Sequence, residues 1–336
     1  MKNKRKIAVV TGGAGFIGSH MIDLLLSKKF KVNVIDNLVA GHKKNYKHHL
    51  NNPLFKFTKV DICKIKSNNT LFKNADYVFH FAGLADIVPS IENPDKYFKS
   101  NVVGTFNVLQ AAKKANIKKF IYAASASCYG IPNKFPIKEN GKINPMYPYA
   151  FTKWQAEELT MHWVKIYNFP AISFRFFNVY GPRSRTSGAY GAVFGVFLAQ
   201  KLANKPLTIV GNGNQTRDFI HVNDLIHGIY KAALSKKIGE IYNIGGGKEI
   251  KINKIAKLIG GKRIYIPKRP GEPDRSLADI SKIKKHLNWQ PKIDIEEGTK
   301  DLLKRIDSWK RAPVWTPKSI KKATKVWFKF LKKIGN

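Results

Sequence analysis

The stretch that decides the fold is IAVVTGGAGFIGSH, residues 7–20. Its apolar run, Ile7 to Val10, reads as a short strand buried on both faces, as in a parallel sheet. Glycines follow at two overlapping spacings, Gly12/Gly15/Gly18 and Gly13/Gly15/Gly18, with Phe16 and Ile17 between the last two. Glycines at a strand-to-helix turn allow a tight bend, close approach of backbone to a pyrophosphate, and close helix–sheet packing. The helix read from HMIDLLLSKK (20–29) would aim its free N–H groups at the phosphates. Asp36 ends the next strand, KVNVID (31–36), at the spacing expected of a ribose-binding carboxylate, and Asn37 follows it. A carboxylate there accepts hydrogen bonds from the adenosine ribose and repels a 2′-phosphate, which favours NAD over NADP.

Outward from this loop, strand and helix patterns alternate. Strands are expected at FKFTKVD (55–61), DYVFHFA (76–82), KKFIYAAS (118–125) and AISFRFFNVYG (171–181). Helices are expected at TFNVLQAAKKA (105–115) and AFTKWQAEELTMHWVKIYN (150–168). This is the βαβ order of a Rossmann-type doubly wound parallel sheet, with ligands at the C-terminal strand edge. After about residue 180, Gly, Pro and Asn become frequent and the elements shorten. We expect an NAD-binding domain over 1–180, a smaller α/β substrate-binding domain over 181–315, and a basic C-terminal helix over 316–336. EIYNIG (240–245) is a candidate strand returning to the main sheet.

Composition narrows the class. A hydrophobic content of 43% supports a packed core. Two cysteines, Cys63 and Cys128, make neither a disulfide framework nor a metal site. The basic start MKNKRK precedes an apolar run too short for a secretory signal, so a cytoplasmic protein is expected. The net charge is +38, yet only 10 of the 60 basic residues are arginine, and no nucleic-acid-binding motif accompanies them. We expect no specific nucleic-acid partner.

YPYAFTK places Tyr149 and Lys153 four apart, on one face of a helix. A phenol with a pKa near 10 is a poor base at neutral pH. Lowering it by about 3 units requires roughly 4 kcal/mol, which a nearby ammonium and a bound nicotinamide cation could supply. The strand before them ends in Ser125, Ala126 and Ser127, with no acid, base or metal ligand.

The glycine loop, Asp36, Ser125 and the Tyr149/Lys153 pair together resemble the extended short-chain dehydrogenase/reductase family, and within it the nucleotide-sugar 4-epimerases. The resemblance runs from about residue 6 to 310. It implies a tightly bound NAD contacted also by Asp61, Ile62, Phe81, Ala82, Gly83 and Asn101. It implies that Asn178, Arg217 and Arg269 hold a substrate diphosphate, with Glu272 near the uridine ribose. Ser125 and Tyr149 would act at the sugar O4, with Ser127 beside them and Lys153 holding the nicotinamide ribose. Related 4,6-dehydratases carry an Asp-Glu pair at the positions of Ala126 and Ser127, and decarboxylating relatives a Ser-Glu pair. Without a carboxyl group there, elimination lacks an obvious acid or base. Epimerisation at C4 through a 4-keto sugar is the reaction implied, with a homodimer built on the 94–113 and 150–168 helices.

The sugar is read from a gate position, here Ser276, and from GAYGAV (188–193), which includes Ala192 and Val193. A small gate residue admits an N-acetyl group, so UDP-N-acetylglucosamine/UDP-N-acetylgalactosamine is preferred, with UDP-glucose/UDP-galactose alongside. UDP-glucuronate is the runner-up, although no Arg in 188–196 is placed to pair its carboxylate. A non-catalytic dinucleotide-binding adaptor at a membrane or nucleic acid is the reading from a different class; the intact Ser125, Tyr149 and Lys153 argue against it. In the tail, Ile320, Ala323, Val326, Trp327, Phe330, Leu331 and Ile334 recur at helical spacing opposite lysines. Docking of this stripe on protein is favoured over peripheral contact with an anionic membrane.

Overall fold

Strand and helix alternate through the first half of the chain, as the hydrophobic runs require. The structure, a computed structural model, describes residues 5–184 and 192–331. Its strands are β1 (Ile7–Thr11), β2 (Lys31–Asp36), β3 (Phe55–Lys59), β4 (Tyr77–His80), β5 (Lys119–Ser125), β6 (Ala171–Phe176), β7 (Asn178–Tyr180), β8 (Leu207–Val210), β9 (Thr216–His221), β10 (Glu240–Ile244), β11 (Glu249–Lys251) and β12 (Arg263–Ile266). Its helices are α1 (Phe16–Ser27), α2 (Ile87–Glu92), α3 (Pro94–Phe98), α4 (Gly104–Lys114), α5 (Pro148–Tyr167), α6 (Val193–Leu202), α7 (Val222–Leu234), α8 (Ile252–Ile259), α9 (Ser281–Leu287), α10 (Ile295–Lys304), α11 (Pro317–Ala323) and α12 (Lys325–Leu331).

Seven strands form one parallel sheet in the order β10-β6-β5-β4-β1-β2-β3. Alternation along β1 divides its apolar residues between the two faces. Ala8 and Val10 join Met21, Ile22 and Leu25 of α1 in one core, while Val9 joins Val108 and Leu109 of α4 in the other. The strand order reverses between β1 and β4, so the loops after these two strands diverge and leave a crevice at the carboxyl edge. This is a Rossmann-type doubly wound α/β fold.

The run 171–181, expected as one strand, is two. β6 ends at Phe176, and Phe177 donates its N–H to the Ile244 carbonyl (3.1 Å). The backbone then leaves the main sheet, and β7 pairs with β9 in a three-stranded sheet. A second small sheet joins β8 and β12. Phe197, Leu207, Ile209, Ile255, Leu302 and Trp309 form the core of this smaller unit. The strand break sets Asn178 at its entrance.

The tail also differs from a single helix. Thr316 and Ser319 form a reciprocal cap on α11. The buried Thr324 then bonds its hydroxyl back to the Ile320 carbonyl (2.8 Å), and the helix breaks there before α12. Ile320, Trp327 and Leu331 are buried against this same chain, whereas Ile334, Lys332 and Lys333 lie outside the described residues. Among the described residues, no helix is long and apolar enough to cross a membrane.

Candidate active site

The glycine loop is shaped by contacts that a side chain could not survive at two of its positions. Gly12 has φ +69°, and a Cβ there would lie 2.6 Å from the backbone N of Ala82. A Cβ on Gly18 would strike the Gly12 carbonyl. The loop therefore lies directly against the segment after β4, Phe81 to Gly83.

Gly15 is shaped by different contacts from Gly12 and Gly18. It caps α1 in extended backbone, φ −77° and ψ −177°, which any residue adopts. A Cβ there would meet only the Gly12 carbonyl, at 3.1 Å. That is closer than an ordinary Cβ contact and the neighbour is backbone, so the turn is tight at 15 as well. Its N–H donates to that same Gly12 carbonyl (3.1 Å), so it is not one of the free donors expected to face a pyrophosphate. The helix also begins earlier than read from the sequence, at Phe16 rather than His20. Its first bond runs from the Ser19 N–H to the Gly15 carbonyl (3.2 Å). The N–H groups of Phe16, Ile17 and Gly18 precede that bond and are the free donors at the helix start.

Asp36 stands at the end of β2, buried, and its carboxylate accepts from the N–H groups of Ala14 (3.0 Å) and Leu38 (2.7 Å). Burial pushes its pKa upward, opposed by those two hydrogen bonds. Asp61 accepts from Asn37 Nδ2 (3.1 Å) and from the Cys63 N–H (2.8 Å). Ile62 is buried beside Gly104. The tight turn at Gly12, the carboxylate at the β2 end and the Asp61/Asn37 pair form a cradle that fits a dinucleotide carrying an unphosphorylated ribose.

Asn101 is held by the chain itself. Its amide accepts from the Leu84 N–H (2.8 Å) and donates to the Leu84 carbonyl (3.1 Å) and to Thr152 Oγ1 (3.0 Å). It ties the loop after β4 to α5. It sits in a π-helical turn, Lys99–Val103, whose extra residue turns the amide inward. His80 is likewise structural, linking Thr11 Oγ1 (2.6 Å) and Thr105 Oγ1 (2.9 Å). Burial lowers its pKa to about 3, so it stays neutral.

At the end of β5, the Ser125 hydroxyl accepts from the N–H (3.2 Å) and the Oγ (2.8 Å) of Ser127. With both lone pairs engaged, its own proton is left to donate outward. Ser125 and Ser127 both hydrogen-bond the Tyr149 phenol. Pro148 at the first position of α5 starts the helix where Tyr149 meets them. Lys153 and Glu157 follow at one and two turns, on the face packed against the sheet. Lys153 Nζ lies 4.4 Å from the centroid of the Tyr122 ring. Glu157 accepts from Ser173 Oγ (2.7 Å) and from Arg175 Nη2 (2.6 Å), both on β6. Cys128 is a buried core residue whose thiol is pushed up to about 12, chiefly by burial.

The chain's own groups set the electrostatics of the phenol and the ammonium. Tyr149 is not held low by Lys153. Burial raises its pKa, against the two serine hydrogen bonds. Lys153 is itself pulled down to about 7 by burial, with Glu157 opposing. Sequence spacing brings phenol and ammonium to one face, but both lose their water, and each loss disfavours the charged form.

A cleft of about 480 Å³ opens beside Tyr149. Asn178, Ala192, Val193, Arg217, Arg269 and Glu272 all line it. Arg217 is anchored by the carbonyls of Thr216 (2.9 Å) and Pro273 (2.8 Å). Glu272 pairs with Arg269 (3.1 Å) and lies 3.9 Å from Arg217. A dianionic ligand would meet two guanidiniums already gathered around one carboxylate. Ser276 is half-buried on the segment after Glu272 and does not line the cleft; residues 188–191 lie outside the described residues. Asp86, Trp315 and Trp327 line the cleft without any motif to mark them. The only sequence signal for Trp327 was its place on the apolar stripe of the tail.

Residues 9–302 match the family model described as GDP-mannose 4,6 dehydratase. UDP-glucuronic acid decarboxylase 4 of Arabidopsis thaliana is 35% identical over 320 residues, covering 90% of this chain and 70% of that protein. UDP-glucuronic acid 4-epimerase from Bacillus cereus, solved in complex with UDP-glucuronic acid and NAD, superposes with a TM-score of 0.84 at 32% identity, covering 90% of this chain and 99% of that one. UDP-N-acetylglucosamine 4-epimerase from Methanobrevibacter ruminantium M1, in complex with UDP-N-acetylmuramic acid, gives 0.83 at 33% identity, covering 90% and 100%. With the loop, the β5 strand end and the Tyr149/Lys153 helix assembled as described, the chain belongs to the GDP-mannose 4,6-dehydratase family of extended short-chain dehydrogenases/reductases.

Proposed function

We propose that this protein is an NAD-dependent 4-epimerase of a UDP-hexose, acting preferentially on the UDP-N-acetylglucosamine/UDP-N-acetylgalactosamine pair and also on UDP-glucose/UDP-galactose. One observation carries the reading. The strand end holds Ser125, Ala126 and Ser127 beside Tyr149 and Lys153, with no carboxyl group at 126 or 127. Both decarboxylase and epimerase relatives share the fold, so the discrimination lies in these side chains. Asp86, the acid that acts on Tyr149 electrostatically, sits at the start of α2 rather than on the β5 end.

Bound in the glycine cradle, NAD supplies the hydride acceptor for the sugar C4 and a positive charge near the phenol. Tyr149 Oη takes the proton of the 4-hydroxyl and returns it. Ser125 donates to the same sugar oxygen. Lys153, one turn along α5 from Tyr149, holds the nicotinamide ribose. Arg217, Arg269 and Asn178 hold the diphosphate, since guanidinium forks match phosphate geometry, and the sugar turns about that linkage to present its other face.

The Ala192/Val193 wall supports the N-acetylated sugar, whereas Ser276, expected as the gate, stands off the cleft lining. UDP-glucuronate is the second reading, supported by the likeness to the Bacillus cereus enzyme. Against it, residues 188–196 contain no Arg or Lys to pair a carboxylate. Proton NMR of products from UDP-N-acetylglucosamine, UDP-glucose and UDP-glucuronate, each incubated without added cofactor, tests the assignment. The C4 epimer is expected fastest from the first. A 4-keto-6-deoxy product or a pentose would overturn it, as would no product from any of the three with NAD supplied.

Dimerisation is part of this reading. Phe98, Val103 and Phe106 along α3–α4, and Phe151 on α5, are each about two-fifths exposed. Helices showing such apolar surface fit a second copy of the chain. Phe106→Glu with Phe151→Glu is expected to halve the mass measured by light scattering; a wild-type mass of one chain would remove the dimer.

A further inference from the structure

The chain beyond Trp309 runs over the cleft. Gln200 of α6, fully buried, donates to the Trp315 carbonyl (2.7 Å) and so pins the start of this segment to the smaller unit. Ala312, Pro313 and Trp315 line the cleft as the chain passes, and Trp327 lines it again from α12. α12 then docks on α2, where Trp327 and Leu331 pack on Val88. Two contacts join Trp327 to the arginine turn. Its ring centroid lies 5.1 Å from the Arg269 guanidinium, and its Nε1 donates to the Pro270 carbonyl (2.6 Å). Leu331 borders Gly271, which has φ +71°. Trp327 is 3% exposed. Ile320, Trp327 and Leu331 of the tail's apolar stripe are therefore covered by their own chain, and Trp327 covers the site in return, while Phe330 stays exposed.

We propose that Trp327 is a positioning residue of the nucleotide-sugar site: its ring and N–H hold the turn that carries Arg269 and Glu272, and the strap 312–331 forms one wall of the cleft. The proposal rests on Arg269 as a diphosphate ligand. A cation over an indole face is attracted by the ring quadrupole, most strongly when water is excluded. An arginine already held in one rotamer gives up less entropy when a ligand arrives. The strap thus acts on ligand affinity and leaves proton transfer at Tyr149 alone.

Trp327→Leu keeps apolar packing on Val88 but removes the ring and the N–H. It is expected to raise KM for the UDP-sugar about tenfold, in keeping with an interaction of this class, with kcat within about twofold. UDP, which has the diphosphate and no sugar, should weaken equally by titration calorimetry. Trp327→Phe retains a ring under Arg269 and should recover most of the loss, while Phe330→Ala, on the solvent side of α12, should change nothing. In an Arg269→Ala background, Trp327→Leu should add less than about twofold, because coupled residues are not additive. Unchanged UDP affinity in a folded Trp327→Leu protein would overturn the proposal, and so would a full tenfold loss persisting without Arg269. Should the Leu variant fail to fold, Trp327→Phe takes its place. Its smaller loss of UDP affinity should vanish in the Arg269→Ala background, and a loss of equal size in both backgrounds would sink the idea. A wild-type protein that binds UDP but epimerises nothing would end the reading of activity and leave the strap testable. A wild-type protein that does not bind UDP ends both.

Discussion

Tyr149→Phe should lower kcat by about 10²–10⁴-fold, the range that a positioned acid–base group contributes, with little change in UDP affinity or thermal stability. The ring would stay where it is, stacked 6.3 Å from Tyr147 with 9° between planes. What disappears is one oxygen, the one that meets Ser125 and Ser127. Tyr147 is the internal control. Its hydroxyl is pushed far up by burial, with the Tyr149 charge adding to it. Tyr147→Phe should therefore cost little in kcat. Comparable losses from both substitutions, or a Tyr149→Phe protein with near-normal turnover, would remove Tyr149 from its proposed role. The raised pKa of Tyr149 sharpens the test. In the bare site the phenol is the resting form at neutral pH, so activity should climb with pH from the acid side as phenolate becomes accessible.

Much of this arrangement was legible in the sequence because it is local. The glycine spacing, the apolar β1 and Asp36 lie within about 30 residues, and each carries its own geometric reason. Tyr149 and Lys153 lie one helical turn apart, so their common face followed from spacing alone. Even in the local motif, spacing does not say which glycine bears the constraint. Gly12 and Gly18 are required by backbone they nearly touch, while Gly15 spends its N–H inside the loop. What stayed hidden depends on distant partners. The run 171–181 contains no glycine before Gly181, so nothing in it marked Phe177 as the point where one sheet ends and another begins; the partner strands, β10 and β9, lie far along the chain. The bonds that tie the Asn101 amide to Leu84 and Thr152 had no sequence signal. The tail announced an apolar stripe without its partner, because amphipathicity states that a face is buried and not against what. The burial that raises the Tyr149 pKa was hidden for the same reason, since burial is a property of the whole fold.

Glu157→Gln should be the most destabilising conservative change at the site, by about 3–5 kcal/mol, the usual cost of stranding one partner of a buried ion pair. Glu157 and Arg175 have side chains 1% and 4% exposed, with the guanidinium 2.6 Å from the carboxylate. The amide keeps the volume and can still accept from Ser173, but Arg175 would face an uncharged oxygen with no water to compensate. Arg175 also donates to Tyr129 Oη (2.9 Å) and the Glu139 carbonyl (2.7 Å), so the guanidinium cannot turn away without breaking those bonds. The expected drop in Tm is roughly 5–10 °C. A second effect separates this from simple loosening. Glu157 is the group that holds the Lys153 pKa up against burial, at about 7. Without that charge Lys153 gives up its proton at lower pH. An ammonium exists only below its pKa, so the alkaline fall in kcat/KM, where Lys153 loses charge, should move to lower pH in Glu157→Gln. Arg175→Met removes the other partner and strands Glu157 as a buried anion. That anion still faces Lys153, so the limb should not move down even though stability falls. A Glu157→Gln protein that is destabilised but titrates like wild type would confine Glu157 to the Arg175 pair. A shift seen equally in both variants would tie it to general loosening of α5 against β6 and sever the proposed link from Glu157 to the Lys153 charge.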